Sequence, residues 1–275
     1  MIGHRIAHVM FWLAHVMFWL ALSGLLDPMA ALAQGETPEE RGRAIFEELD
    51  RRETGFGDFT ATLDMVLFDR QGRESRRQMR NRTLEGQDGG DKILILFDEP
   101  RDVKGTALLI YSHPDGDDDV WLYLPALERV KRISGSNRSG PFMGSEFAYE
   151  DLSSDEIGKY TYRYLRDDTH GERPVFVVER MPKDTRSGYS KQIVWVDQER
   201  YTVSTIEYYD RKGAHLKTLE QRDFQQYADR FWRPGNLRMV NHLTDKVSEL
   251  LWSDYTFQNG LDARDFDRAS LARAK

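Results

Sequence analysis

With 275 residues, 39 basic against 46 acidic side chains (net charge −7) and no cysteine, the chain excludes several classes at once. The acidic balance argues against a nucleic-acid binder, whose affinity rests on a positive surface. Lacking cysteine, the protein has no disulfides, no thiol catalysis, no thiolate metal ligands and no lipid-modified cysteine, so any lipid it handles is handled by binding.

The first 33 residues read as a secretory signal. Arg5 precedes an almost wholly apolar run from Ile6 to Leu26, and a small-residue patch closes on Ala31-Leu32-Ala33 before Gln34, the A-x-A pattern of a cleavage site. The heptapeptide Ala-His-Val-Met-Phe-Trp-Leu stands twice in tandem, at Ala7–Leu13 and Ala14–Leu20, carrying His8 and His15 as passengers. It lengthens the run to about 21 residues, enough to span a bilayer, where a signal core needs roughly 7–15. The expectation is a signal over residues 1–33 and a single exported domain over residues 34–275. The alternative is an uncleaved inner-membrane anchor.

Thr37 and Glu40 stand at capping-box spacing, and Ala44, Ile45, Phe46 and Leu49 form an apolar stripe, so Pro38–Glu53 is an amphipathic helix. From Asp58 the period changes to two. Phe59, Ala61, Leu63, Met65 and Leu67 alternate with polar residues as a strand with one apolar face, and after the Arg70-Gln71-Gly72 turn Glu74–Leu84 returns beside it. Further strands are expected at Lys92–Phe97, Thr106–Tyr111 and Val120–Leu124, then from Tyr160, and at Pro174–Met181, Gln192–Asp197 and Val203–Tyr209. Ala214–Phe224, Phe231–His242 and Val247–Phe257 follow, and Asp262–Ala274 is expected to be a closing helix. Short strands with regular turns predict a mainly β fold with a few helices: one antiparallel sheet of about eleven strands, curved or closed, with the end helices and a flap left to cover its apolar face. That flap is Gly135–Gly158, where alternation vanishes and Phe142, Met143, Phe147 and Tyr149 sit among glycines and Pro141. A short helix is expected near Asp151–Ile157.

Signals for catalysis are weak. His113, His170, His215 and His242 share no metal-ligand spacing, and no cofactor motif is present. Ser139 and Ser145 lie near glycines without a nucleophile-elbow context; with His113 they define the alternative of a lipid-ester hydrolase. Asp115–Asp119 reads as a solvated hairpin turn, since it lacks the alternating ligands of a calcium loop. Glu146, Glu150 and Asp151 have the chemistry of an acid–base set, but their spacing fits helix capping equally. What remains is a container argument: a sheet with one apolar face must cover it, and loosely lying covers leave room for acyl chains. A barrel filled by its own side chains is the other outcome.

Long collinear stretches resemble the outer-membrane lipoprotein-sorting family related to LolA and LolB. They are Pro100–Leu109, Trp121-Leu122-Tyr123-Leu124-Pro125, Arg129–Ile133, Phe142–Phe147, Tyr149-Glu150-Asp151-Leu152, Gly188-Tyr189-Ser190 and Trp252-Ser253-Asp254-Tyr255. The resemblance implies an unclosed barrel with a plugged mouth, a periplasmic location, no enzymatic activity and no cofactor. It implies a cavity for acyl chains of lipoproteins or lipids, an inner-membrane transporter of ABC or RND type as donor, and an outer-membrane acceptor. The expected cargo contacts are Phe59, Leu63, Met65, Leu67, Trp121, Tyr123, Phe142, Met143 and Phe147. An arginine latches the lid in LolA, and Arg101, Arg129 and Arg138 are the candidates here. An accessory subunit of an inner-membrane exporter is the third reading.

Overall fold

The computed structural model describes residues 35–86 and 90–273, so the expected signal and its tandem repeat lie outside the described residues. Pro38–Glu53 forms helix α1. Its start carries Pro38, Glu39 and Glu40 and its last turn Arg51 and Arg52, charges that complement the helix dipole. Ile45 and Phe46 are buried and Leu49 packs beside them, whereas Ala44, expected in the stripe, is exposed.

Among the described residues fifteen strands follow. They are β1 (Asp58–Phe68), β2 (Glu74–Leu84), β3 (Lys92–Glu99), β4 (Ala107–Tyr111), β5 (Asp119–Leu124), β6 (Arg129–Ile133), β7 (Tyr160–His170) and β8 (Arg173–Pro182). Then come β9 (Tyr189–Asp197), β10 (Val203–Asp210), β11 (His215–Arg222), β12 (Gln225–Tyr227), β13 (Phe231–Arg233), β14 (Asn236–Asn241) and β15 (Lys246–Phe257). Thirteen make one antiparallel sheet in the order β6-β5-β4-β3-β2-β1-β15-β14-β11-β10-β9-β8-β7, while β12 and β13 form a separate ribbon. The sheet is an open half-barrel. Two meanders, β1 to β6 and β7 to β14, are joined where β15 pairs with both β1 and β14.

The strand count exceeds the expected eleven for local reasons. The basic segment Arg129–Ile133 lacks an apolar alternation yet pairs with β5 as β6. The expected strand Phe231–His242 is broken at Pro234-Gly235 into β13 and β14. The expected closing helix at the C-terminus is instead two 3-10 segments, Ala263–Phe266 and Arg268–Arg273.

Two clusters bury the apolar residues. The larger fills the inner face of the sheet with Leu63, Met65, Met79, Ile95, Phe97, Leu108, Ile110, Val194, Ile206, Met239 and Leu250, joined by Ile45 and Phe46 of α1 and by Phe142, Phe147 and Tyr149. The smaller lies on the opposite face of β3 to β5, where Leu94, Leu96, Ala107, Leu109 and Trp121 are covered by Phe266 and Leu271. β3 and β4 are therefore apolar on both faces, which is why Lys92–Phe97 and Ala107–Tyr111 read as continuous apolar runs rather than alternating ones.

Candidate binding site beneath the flap

β6 and β7, the two open edges of the half-barrel, are consecutive in sequence, so the chain between them has to cross the opening. That crossing is the flap. It runs through short 3-10 turns and folds on itself through a bridge between Pro141 and Ala148, with the Phe142 N–H donating to Phe147 O at 2.7 Å. Met143 and Gly144 turn the tip with φ of +48° and +80°, conformations that suit glycine and strain a methionine. The turn aims the carbonyl of Met143 at β2, where the Arg77 guanidinium donates to it. Phe142 and Phe147 are each 1% exposed, and Phe142 meets Phe97 and Tyr149 at ring separations of 5.8 and 5.6 Å. The space beneath the flap is thus filled by the protein's own aromatic side chains.

A polar clasp surrounds this plug. Lys217 of β11 donates to Asp151 at 2.6 Å and to the carbonyl of Glu146 at 2.9 Å, with the Lys217 and Asp151 side chains only 5% and 3% exposed. Asp151 also accepts from the Tyr189 hydroxyl at 2.7 Å. Asn241 of β14 donates to the Glu146 carboxylate at 2.6 Å, and the Ser248 hydroxyl of β15 accepts from the Glu146 N–H at 2.9 Å. Glu150 accepts from the Gly188 N–H and the Ser187 hydroxyl at 2.9 and 2.8 Å, and burial pushes its carboxyl above the usual range. Burial likewise raises the Tyr189 phenol well above its ordinary value. Glu146, Glu150 and Asp151, read from sequence as an acid–base or capping set, are therefore three flap carboxylates that close it onto β9, β11 and β14.

The Asp115–Asp119 turn is not merely solvated. Asp118 is buried, bonded by Lys159 at 2.5 Å and 3.9 Å from Arg138, so one carboxylate ties both ends of the flap to the β4–β5 turn. Arg138 also pairs with Asp184 at 2.6 Å and Asp117 at 3.2 Å. Of the three latch candidates only Arg138 is thus embedded at the flap; Arg101 and Arg129 are exposed. At the flap's far end Arg180, itself 3% exposed, pairs with Asp155 at 3.1 Å and lies over the Tyr160 ring at 4.5 Å and the Phe46 ring of α1 at 5.5 Å. Two clefts of about 680 and 650 Å³ flank the flap. Asp117, Arg138, Lys159 and Arg186 line the first, and Glu146, Arg211, Lys217 and Lys246 the second.

The expected cargo contacts do not form one surface. Leu63, Met65, Leu67, Phe142, Met143 and Phe147 meet on the inner face. Phe59 lies near the end of α1 in an aromatic group with Phe56, Tyr255 and Phe257, at ring separations of 5.5–5.8 Å. Trp121 and Tyr123 point the other way, under the C-terminal segment. β5 turns Val120 and Leu122 inward instead, because side chains alternate and a one-residue slip exchanges the faces. Ser145 donates to Phe142 O at 2.7 Å and Ser139 to Ser136 O at 2.6 Å, while His113 pairs with Asp119 at 3.2 Å; these bonds do not form a serine–histidine pair. Among the described residues no group of three or more His, Cys, Asp and Glu is placed to hold a metal ion, and no helix is long and apolar enough to cross a membrane.

An open antiparallel half-barrel closed by an aromatic flap defines a binding fold rather than a reaction centre. A domain described as an outer-membrane lipoprotein-sorting protein from Vibrio parahaemolyticus is 52% identical, superposes with a TM-score of 0.84, and matches over 86% of this chain and 100% of its own. The chain belongs to that family, of the LolA-like type. A DUF1329 family protein from Desulfovibrio piger is 28% identical (TM-score 0.81; 86% of this chain, 99% of that one). A LolA superfamily protein from Nitrosomonas europaea shares the fold at 22% identity (TM-score 0.66; 83% and 98%). A family model described as "Uncharacterized protein" matches residues 89–273. No curated protein matches the sequence.

Proposed function

We propose that the protein is a periplasmic carrier that takes acyl chains of lipoproteins or lipids between the inner sheet face and the flap. It passes them from an inner-membrane transporter of ABC or RND type toward the outer membrane. The observation that carries this reading is the flap: a segment bridging both open edges, apolar where it meets the sheet and held at its margin by polar bonds that water can replace. Family membership and the similarity to a lipoprotein-sorting domain support it.

Magnitudes support displacement rather than filling of a standing cavity. Burying Phe142, Phe147 and Tyr149 stabilises the closed flap by roughly 5–9 kcal/mol, at about 1.5–3 kcal/mol each, and each flap hydrogen bond adds about 1 kcal/mol net. A fully covered acyl chain contributes on the order of 10 kcal/mol, at about 0.8 per CH₂. One chain therefore roughly balances the aromatic burial alone, and a cargo with two or three chains also exceeds the flap's hydrogen bonds. Leu63, Met65, Leu67, Val120, Leu122 and Met239 would line the opened groove. Two buried polar atoms without partners face the same interior, Asn81 Oδ1 and Trp252 Nε1, and would take hydrogen bonds from or to the polar end of the cargo.

The test is native mass spectrometry after incubation with a triacylated lipopeptide. Wild-type protein is expected to retain it, and Phe142→Asp with Phe147→Asp to lose it. Equal retention by the variants would remove the flap from the account.

A further inference from the structure

The histidines share no metal-ligand spacing in sequence, yet the sheet brings two of them together on its outer face. His215 opens β11, and His242 follows β14 directly, its N–H donating to Leu216 O at 2.9 Å. The β10–β11 register shifts beside Leu216, which turns His215 to the face that carries Thr218. The two imidazole rings lie 4.4 Å apart. Both Nε2 atoms converge on one atom, Thr218 Oγ1, at 3.0 Å from His215 and 2.8 Å from His242. A hydroxyl has a single proton, so it can donate to only one of these nitrogens. Glu207 pairs with Thr218 across the strands, its carboxylate accepts from the Tyr209 hydroxyl at 3.0 Å, and the Tyr209 ring stacks on His215 at 5.2 Å. Burial, with His215 beside it, holds His242 below the usual imidazole range, against the opposite pull of Glu207 and Asp245.

We propose that His215 and His242 form a two-imidazole site for a late first-row transition-metal dication, with Glu207 at its margin. Imidazole nitrogens suit Cu²⁺, Ni²⁺ and Zn²⁺, with Cu²⁺ held most tightly. Ca²⁺ and Mg²⁺, which require oxygen ligands, are refused. Thr218 Oγ1 stands where both nitrogens converge, so the ion displaces its hydroxyl by χ1 rotation, and the positions beyond the two imidazoles go to water, which makes the ion exchangeable. Its position has a structural consequence. β11 and β14 supply Lys217 and Asn241 to the flap clasp from their inner face, and the ion would staple the same two strands from outside. The site does not rest on the carrier reading.

The experiment is a Cu²⁺ titration of the full chain followed by electron paramagnetic resonance, with thermal unfolding in parallel. Wild type is expected to bind one equivalent that is missing in a His215→Ala/His242→Ala variant and shows coupling to two imidazole nitrogens. Each single variant should weaken that equivalent by more than the about 10–100-fold that loss of an outer-shell partner costs. His170→Ala should leave it unchanged, and Cu²⁺ should raise the Tm of wild type but not of the double variant. Identical stoichiometry and Tm shift in wild type and the double variant would overturn the proposal, as would a wild type that binds no Cu²⁺.

Discussion

Lys217 and Asp151 pair between the sheet and the flap with both side chains almost fully buried. Removing one partner of such a pair leaves a buried charge, so Lys217→Met should cost about 3–5 kcal/mol. The double change Lys217→Met/Asp151→Leu should recover much of it. Urea denaturation of the three variants measures both. Glu150 is one of the partly buried carboxyls that make stability depend on pH. Its folded-state pKa is raised by burial, so in the window above the ordinary carboxylate value the folded protein holds more protons than the unfolded chain. Stability contributed by this group is present at acid pH and falls as pH rises above the ordinary carboxylate value of about 4.3. Glu150→Gln should flatten that slope, as read from denaturation midpoints across the range. At this scale the sequence was least legible. Asp118, Glu146 and Lys217 have nothing in their neighbours to mark them as clasp residues, because their partners lie far along the chain. Trp121 was an expected cargo contact, but facing depends on strand register, and β5 is apolar on both sides.

Elements were read more reliably. Period-two alternation and turn residues located β1, β8 and β10 to within a residue at each end, and the turn before Glu74 located β2, whereas only the start of β7 was legible and β9 begins three residues before the expected Gln192. The charges of β6 hide it in sequence, and the C-terminal segment folds as two 3-10 segments where a closing helix is expected. That segment covers the outer face, away from the flap. Phe266→Ala should therefore destabilise the protein by about 3–5 kcal/mol while leaving lipopeptide retention unchanged, which calorimetry and native mass spectrometry together check. α1 offers a second test. A Cβ on Gly42 would sit 2.7 Å from the Tyr164 backbone nitrogen of β7. Gly42→Ala gains about 1 kcal/mol of helix propensity but forces helix and strand apart, an overpacking of about 1–3 kcal/mol. Net loss of stability is expected in thermal unfolding.

On the scale of the whole molecule, the topology decides the mechanism. The open edges β6 and β7 are neighbours in sequence, so one continuous segment spans the mouth and can be released without unpairing any strand of the sheet. The antiparallel sheet and its flap were legible from strand spacing and from the aromatic content of Gly135–Gly158, while the open edges followed only from the family resemblance. That the interior is already filled was not, since composition alone does not say whether an apolar face waits for cargo or for its own cover. The central claim is that acyl chains displace Phe142, Phe147 and Tyr149. The most direct measurement is hydrogen exchange at the amides of Phe142 and Tyr149, with and without a triacylated lipopeptide. The account predicts that they lose protection on loading while amides of β8 to β10 keep theirs. Unchanged flap protection with lipopeptide bound would contradict it.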